Sequence, residues 1–95
     1  MRTIVLDGSL MAGREEAHEY LVQRLGLPDY YGKNLDALYD ILTADLPQPT
    51  CLVIYRREAL AQSLGSYGEA LLGTLVDAAQ ENPHLQVAFD NGGTP

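Results

Sequence analysis

Tryptophan is absent from this chain of 95 residues, cysteine occurs once, and basic residues number only six. A single cysteine, Cys51, excludes an intramolecular disulfide. Six Lys and Arg against thirteen Asp and Glu leave a formal charge of −7. Nucleic acid is thereby disfavoured as a direct partner, because phosphate binding relies on Lys and Arg to displace counterions. Anionic membrane surfaces are disfavoured for the same reason. No run approaches the roughly eighteen apolar residues of a spanning helix. The opening MRTIVLDGSL has too brief an apolar stretch for a signal peptide. A Gly-rich phosphate loop, a His-x-x-x-His and a Cys-x-x-Cys are all missing. The expectation is a soluble, cytoplasmic protein without a cofactor.

What the chain does hold is enough apolar material for one core. Its hydrophobic content of 46% fits a globular fold, and a chain this short buries roughly 60–65% of its unfolded surface. Three apolar runs read as strands: Thr3–Leu6, Cys51–Tyr55 and Leu85–Phe89. The first two are nearly continuous and β-branched, the pattern of strands covered on both faces. Between them lie helical patterns. His18, Leu21, Val22 and Leu25 follow i, i+3, i+4, i+7 spacing, and Gly26 is a natural stop. Asn34 suits an N-cap for a second helix with Leu35, Leu38 and Leu42 as its stripe. A helical turn or two after Tyr55 breaks at Gly65–Ser66. A longer helix then carries Leu71, Leu72, Leu75, Val76 and Ala79. Strands alternating with helices predict a single α/β domain with a small, mainly parallel sheet. Residues 91–95 read as a flexible C-terminal tail.

Candidate chemistry concentrates in LPDYYGKNLDALYDIL, Leu27–Leu42. Asp36 and Asp40 lie four apart on a helix, both pointing away from the leucine stripe. Like charges at that spacing cost a helix roughly 0.2–0.5 kcal/mol. Asp36 gains from the positive end of the helix dipole in the first turn, but Asp40 lies too far along. Asp77 and Glu81 repeat the spacing on the later helix. A solvated face explains each pair separately, whereas a surface for a basic partner explains both. Tyr30 and Tyr31 precede the helix, and packing of at least one on the core is expected. An exposed tyrosine beside carboxylates is typical of an interface anchor.

No catalytic constellation accompanies these residues. His18 sits on an apolar helix face, where a packed, hydrogen-bonded histidine is expected, and His84 is isolated. Cys51 lies in an apparently buried strand and reads as a small core residue. Two helical carboxylates make a poor calcium site without loop carbonyls, and nothing nearby desolvates one of them into a general acid. No metal site and no catalytic residue is assigned.

The segment LPDYYGKNLDALYDILT resembles the signature of the barstar family, intracellular inhibitors of barnase-type ribonucleases. The fixed positions of that signature are met by Leu27, Pro28, Tyr30, Tyr31, Gly32, Asn34, Leu35, Asp36, Ala37, Leu38 and Asp40, with Tyr39 at its aromatic site. The resemblance implies a three-stranded parallel sheet packed with about four helices, spanning residues 1–90. It implies an inhibitor, not an enzyme, whose second helix and preceding loop plug a ribonuclease active site in place of RNA phosphates. Tyr30 and Asp40 become its main anchors, supported by Gly32, Asn34, Asp36 and Tyr39, with Asp77 on the later helix. The implied partner is a basic ribonuclease, secreted or delivered as a toxin. The chain departs from the pattern at Lys33, acidic in the best-known member, at Tyr39, commonly tryptophan, and at Asp45, aromatic in that member. An acidic module binding some other basic protein is the competing reading.

Overall fold

A computed structural model describes residues 1–46 and 48–90. The tail expected at 91–95 lies outside the described residues. Three strands, β1 (Arg2–Asp7), β2 (Thr50–Tyr55) and β3 (Leu85–Asp90), form one parallel sheet in the order β1-β2-β3. Four helices connect and cover them: α1 (Arg14–Leu25), α2 (Leu35–Ala44), α3 (Arg57–Leu64) and α4 (Ser66–Glu81). A short 3₁₀ turn, Gly8–Leu10, follows β1. It starts at Asp7, whose carboxylate accepts from the Ser9 amide and hydroxyl, the local side-chain turn typical of Asp. The expected α/β fold with a three-stranded parallel sheet and four helices is the fold observed.

Helix ends follow from local chemistry. Glu15 and Glu16 lie in the first turn of α1 and Arg24 in its last, each matching the helix dipole. Gly26 closes the helix at φ 67°, its amide bonded to the Val22 carbonyl. A left-handed residue is needed there, and glycine takes it without a Cβ penalty.

Register decides where the core sits. Ile4 pairs with Leu52 and Leu6 with Ile54, and β2 continues the row from Thr50 to Leu85. This face is buried, together with Leu21 and Leu25 of α1, Leu38 and Leu42 of α2, Leu60 of α3, and Leu71 and Leu75 of α4. The opposite face is not. Thr3, Val5 and Ala88 are exposed there and Cys51 and Val53 only half-buried, with Val5 keeping 44% of its surface in water. The expectation of two covered faces is therefore corrected to one. Val5 and Val53 fit the pleated backbone as β-branched residues whether or not a layer covers them. Cys51 is likewise on the open face and not in the core.

The outer edge of β1 is occupied by side chains from α1. Arg24 donates from Nε and Nη2 to the Val5 carbonyl at 3.2 and 3.1 Å, and the Asp7 amide donates to Tyr20 Oη at 2.9 Å. Those contacts take up ladder groups that would otherwise invite another strand.

Candidate functional site

The segment between α1 and α2 turns sharply, and the turn sends its two tyrosines in opposite directions. The Tyr31 amide bonds to the Pro28 carbonyl at 3.0 Å. Tyr31 then points inward, 6% exposed, while Tyr30 remains 72% exposed. Inside, Tyr31 Oη lies 2.5 Å from His18 Nδ1, and Tyr67 Oη of α4 lies 2.6 Å from Nε2. A neutral imidazole has one donor and one acceptor nitrogen, so one tyrosine donates to the ring and the other accepts from it. Burial, with Arg14 and Lys33 nearby, lowers the pKa of His18 below 6.5 and favours this neutral form. Burial first, then Tyr67, pushes the Tyr31 phenol upward. The expected packed, hydrogen-bonded His18 is observed, and it ties the loop to both α1 and α4.

Two further contacts fix the loop from outside. Lys33 adopts φ 54°, a left-handed backbone that a lysine rarely takes, and its ammonium pairs with Glu19 of α1. The departure at Lys33 is therefore partly neutralised within the molecule by an acid the sequence reading did not single out. Asn34 caps α2 by accepting from the Ala37 amide at 2.7 Å, and its own amide reaches the Gly32 carbonyl at 3.3 Å.

On α2, Leu38, Ile41 and Leu42 are buried, whereas Asp36 and Asp40 face water. Among the described residues no ion pair reaches Asp36, Asp40, Asp45 or Asp77. α2 packs against α4, and Tyr39 stands near the acids of both. Partial burial, then Glu81, Asp77 and Asp40 in that order, raise the Tyr39 phenol. Asp40 of the first acidic pair and both members of the second, Asp77 and Glu81, thus act on one tyrosine. Asn82, buried at the end of α4, fixes this juxtaposition: its Nδ2 donates to the Leu42 carbonyl at 2.8 Å and its Oδ1 accepts from the His84 amide. Asn82, Tyr67 and Glu19 were not expected as contributors. Only Asn82 carried a local signal, the Asn-Pro step that follows a helix.

A shallow cavity of about 160 Å³ opens between loop and helix, walled in part by Tyr30, Gly32, Ala37 and Asp40. Asp45, at the far end of α2, completes the rim and accepts the Tyr30 hydroxyl at 3.2 Å. The surface thus combines an exposed aromatic, a small cavity and carboxylates lacking internal counter-ions. Among the described residues no group of three or more His, Cys, Asp or Glu is placed to hold a metal ion. No helix among them is long and apolar enough to cross a membrane.

Residues 1–90 match the family described as Barstar (barnase inhibitor). The chain belongs to the barstar family. A protein of Bacillus subtilis (strain 168) named "Putative ribonuclease inhibitor YrdF" is 41% identical over 81 residues, covering 85% of this chain and 89% of that relative. The family resemblance read from Leu27–Thr43 extends to nearly the whole chain, and both the family's description and the relative's name are those of ribonuclease inhibitors.

Proposed function

We propose that this protein inhibits a ribonuclease by inserting α2 and its preceding loop into the catalytic cleft. Asp40 and Asp36 stand in for RNA phosphates and receive the enzyme's cationic side chains, with bidentate bonds wherever arginine is the donor. Tyr30 anchors the loop against the cleft wall. Gly32 lets the partner approach the backbone closely, Asn34 holds the helix start, and Tyr39 and Asp77 extend the contact toward α4.

The observation that carries this reading is the absence of an internal counter-ion. Asp36, Asp40 and Asp77 are exposed and without ion-pair partners among the described residues, while α2 itself is rigidly capped and packed. Repulsion between Asp36 and Asp40 disfavours the free state slightly and is relieved by a cationic partner. The charge of −7 also speeds encounter with a basic enzyme. The partner is thus a basic secreted or toxin ribonuclease, and the inhibitor acts in the cytoplasm as an immunity protein for its producer.

The test is titration against a panel of guanyl-preferring ribonucleases while following RNA cleavage. Stoichiometric loss of activity, weakened by salt, is expected. Association with a basic protein that leaves RNA cleavage intact would instead identify an interaction module. Cleavage of RNA by the protein alone would refute inhibition as its role.

A further inference from the structure

Asp45 is electrostatically misplaced. It is the C-cap of α2, where a carboxylate meets the negative end of the helix dipole, and the last turn holds no basic residue to offset it. No cation among the described residues pairs with it. Its hydrogen-bond partner is Tyr30, which lies fifteen residues earlier on an irregular loop and is otherwise exposed. An exposed tyrosine on a loop samples several rotamers, and a bond from its hydroxyl to a helix end selects among them. Tyr30 and Asp45 both line the 160 Å³ cavity beside Asp40.

We infer that Asp45 is a positioning residue of the partner surface, pinning Tyr30 over the cavity so that it receives one cationic side chain between Asp40 and Asp45. The identity of the partner rests on the inhibitory function proposed above; the pinning does not. With its proton committed to Asp45, Tyr30 Oη presents only acceptor lone pairs to an incoming group. The two carboxylates are also acceptors and carry charge, so guanidinium or ammonium both bonds and neutralises the rim, whereas a neutral amide of the same shape can donate but leaves both charges uncompensated. The hydrogen bond and the charge of Asp45 also push the Tyr30 phenol above 10.

The pin is read from the titration of Tyr30 by NMR of ¹³C-labelled tyrosine, the signal assigned through Tyr30→Phe. In Asp45→Asn the Tyr30 phenol should titrate closer to 10 than in the wild type, with the other tyrosines unmoved. Methylguanidinium should shift the Gly32 and Ala37 amides of the wild type. It should bind about threefold more weakly to Tyr30→Phe and at least as much more weakly to Asp45→Asn, with no loss in the double variant beyond that of Asp45→Asn. Methylurea should shift neither amide. Identical Tyr30 titration in wild type and Asp45→Asn, or methylguanidinium shifts that are absent or indifferent to both substitutions, overturns the inference. Failure of the wild type to inhibit any ribonuclease, with these results intact, removes the active-site plug and leaves the pin standing.

Discussion

Tyr31 Oη approaches His18 Nδ1 to 2.5 Å, joining the loop before α2 to the buried face of α1. A neutral imidazole fits this arrangement, one nitrogen accepting and the other donating, and among the described residues no carboxylate hydrogen-bonds to the ring to favour a proton there. Arg14 stacks over Tyr67 at 4.1 Å and, with Lys33, lines a second, separate cavity beside His18, so a proton on His18 meets two existing cations at its mouth. Glu15 lines the same mouth and offsets them in part.

A pH dependence of stability follows with a definite sign. The folded pKa is depressed below 6.5, so the unfolded chain binds the proton more readily. The contribution is complete above pH 6.5 and declines as pH falls from there toward the depressed value. One proton limits the slope to about 1.4 kcal/mol per pH unit. Urea unfolding at pH 5.0 and 7.5 should show wild type losing more stability on acidification than His18→Gln. Equal losses would assign the slope to carboxylates alone.

Asn82 should matter to stability more than its peripheral position suggests. Truncation in Asn82→Ala leaves the Leu42 carbonyl at the end of α2 without its partner, at a cost of about 1–3 kcal/mol. Asn82→Asp should be worse, since a carboxylate then faces that carbonyl. Urea midpoints measure both, and a neutral Asn82→Ala would show that water replaces the bond.

Two glycines of α4 should respond oppositely to alanine. A Cβ at Gly73 meets nothing within 4 Å, so Gly73→Ala should stabilise by about 0.5–1 kcal/mol through helix propensity. A Cβ at Gly68 would stand 2.8 Å from the Leu60 carbonyl oxygen, where α3 crosses closely. Gly68→Ala should destabilise by about 1–3 kcal/mol despite the same propensity gain. Thermal unfolding of the two variants separates the effects.

Much of this architecture was visible in the chain because local rules and tertiary packing agree. Gly26 and Asn34 end and start helices as their backbone and side-chain chemistry dictates, and the leucine spacing of α2 fixes which way Asp36 and Asp40 point. The open face of the sheet was not visible. A β-branched run such as Thr3–Leu6 records a fit to the strand backbone and cannot report how many layers the chain can supply. Contacts between residues far apart in sequence were equally hidden. Neither the Tyr30–Asp45 bond nor the Lys33–Glu19 pair follows from spacing, because each depends on how α1, the loop and α2 meet. The gathering of Asp40, Asp77 and Glu81 around Tyr39 depends likewise on the packing of α2 against α4.

The central claim is that Asp40 enters a ribonuclease active site. The most direct measurement is the inhibition constant of wild type and Asp40→Ala against the most strongly inhibited ribonuclease of the panel, at low and physiological salt. Removing one member of a buried charge pair costs about 3 kcal/mol or more, so inhibition should weaken at least about 100-fold and become less salt-sensitive. Asp40 is exposed in the free protein, so Asp40→Ala should unfold at the same urea concentration as wild type. Equal inhibition by the two proteins would contradict the account.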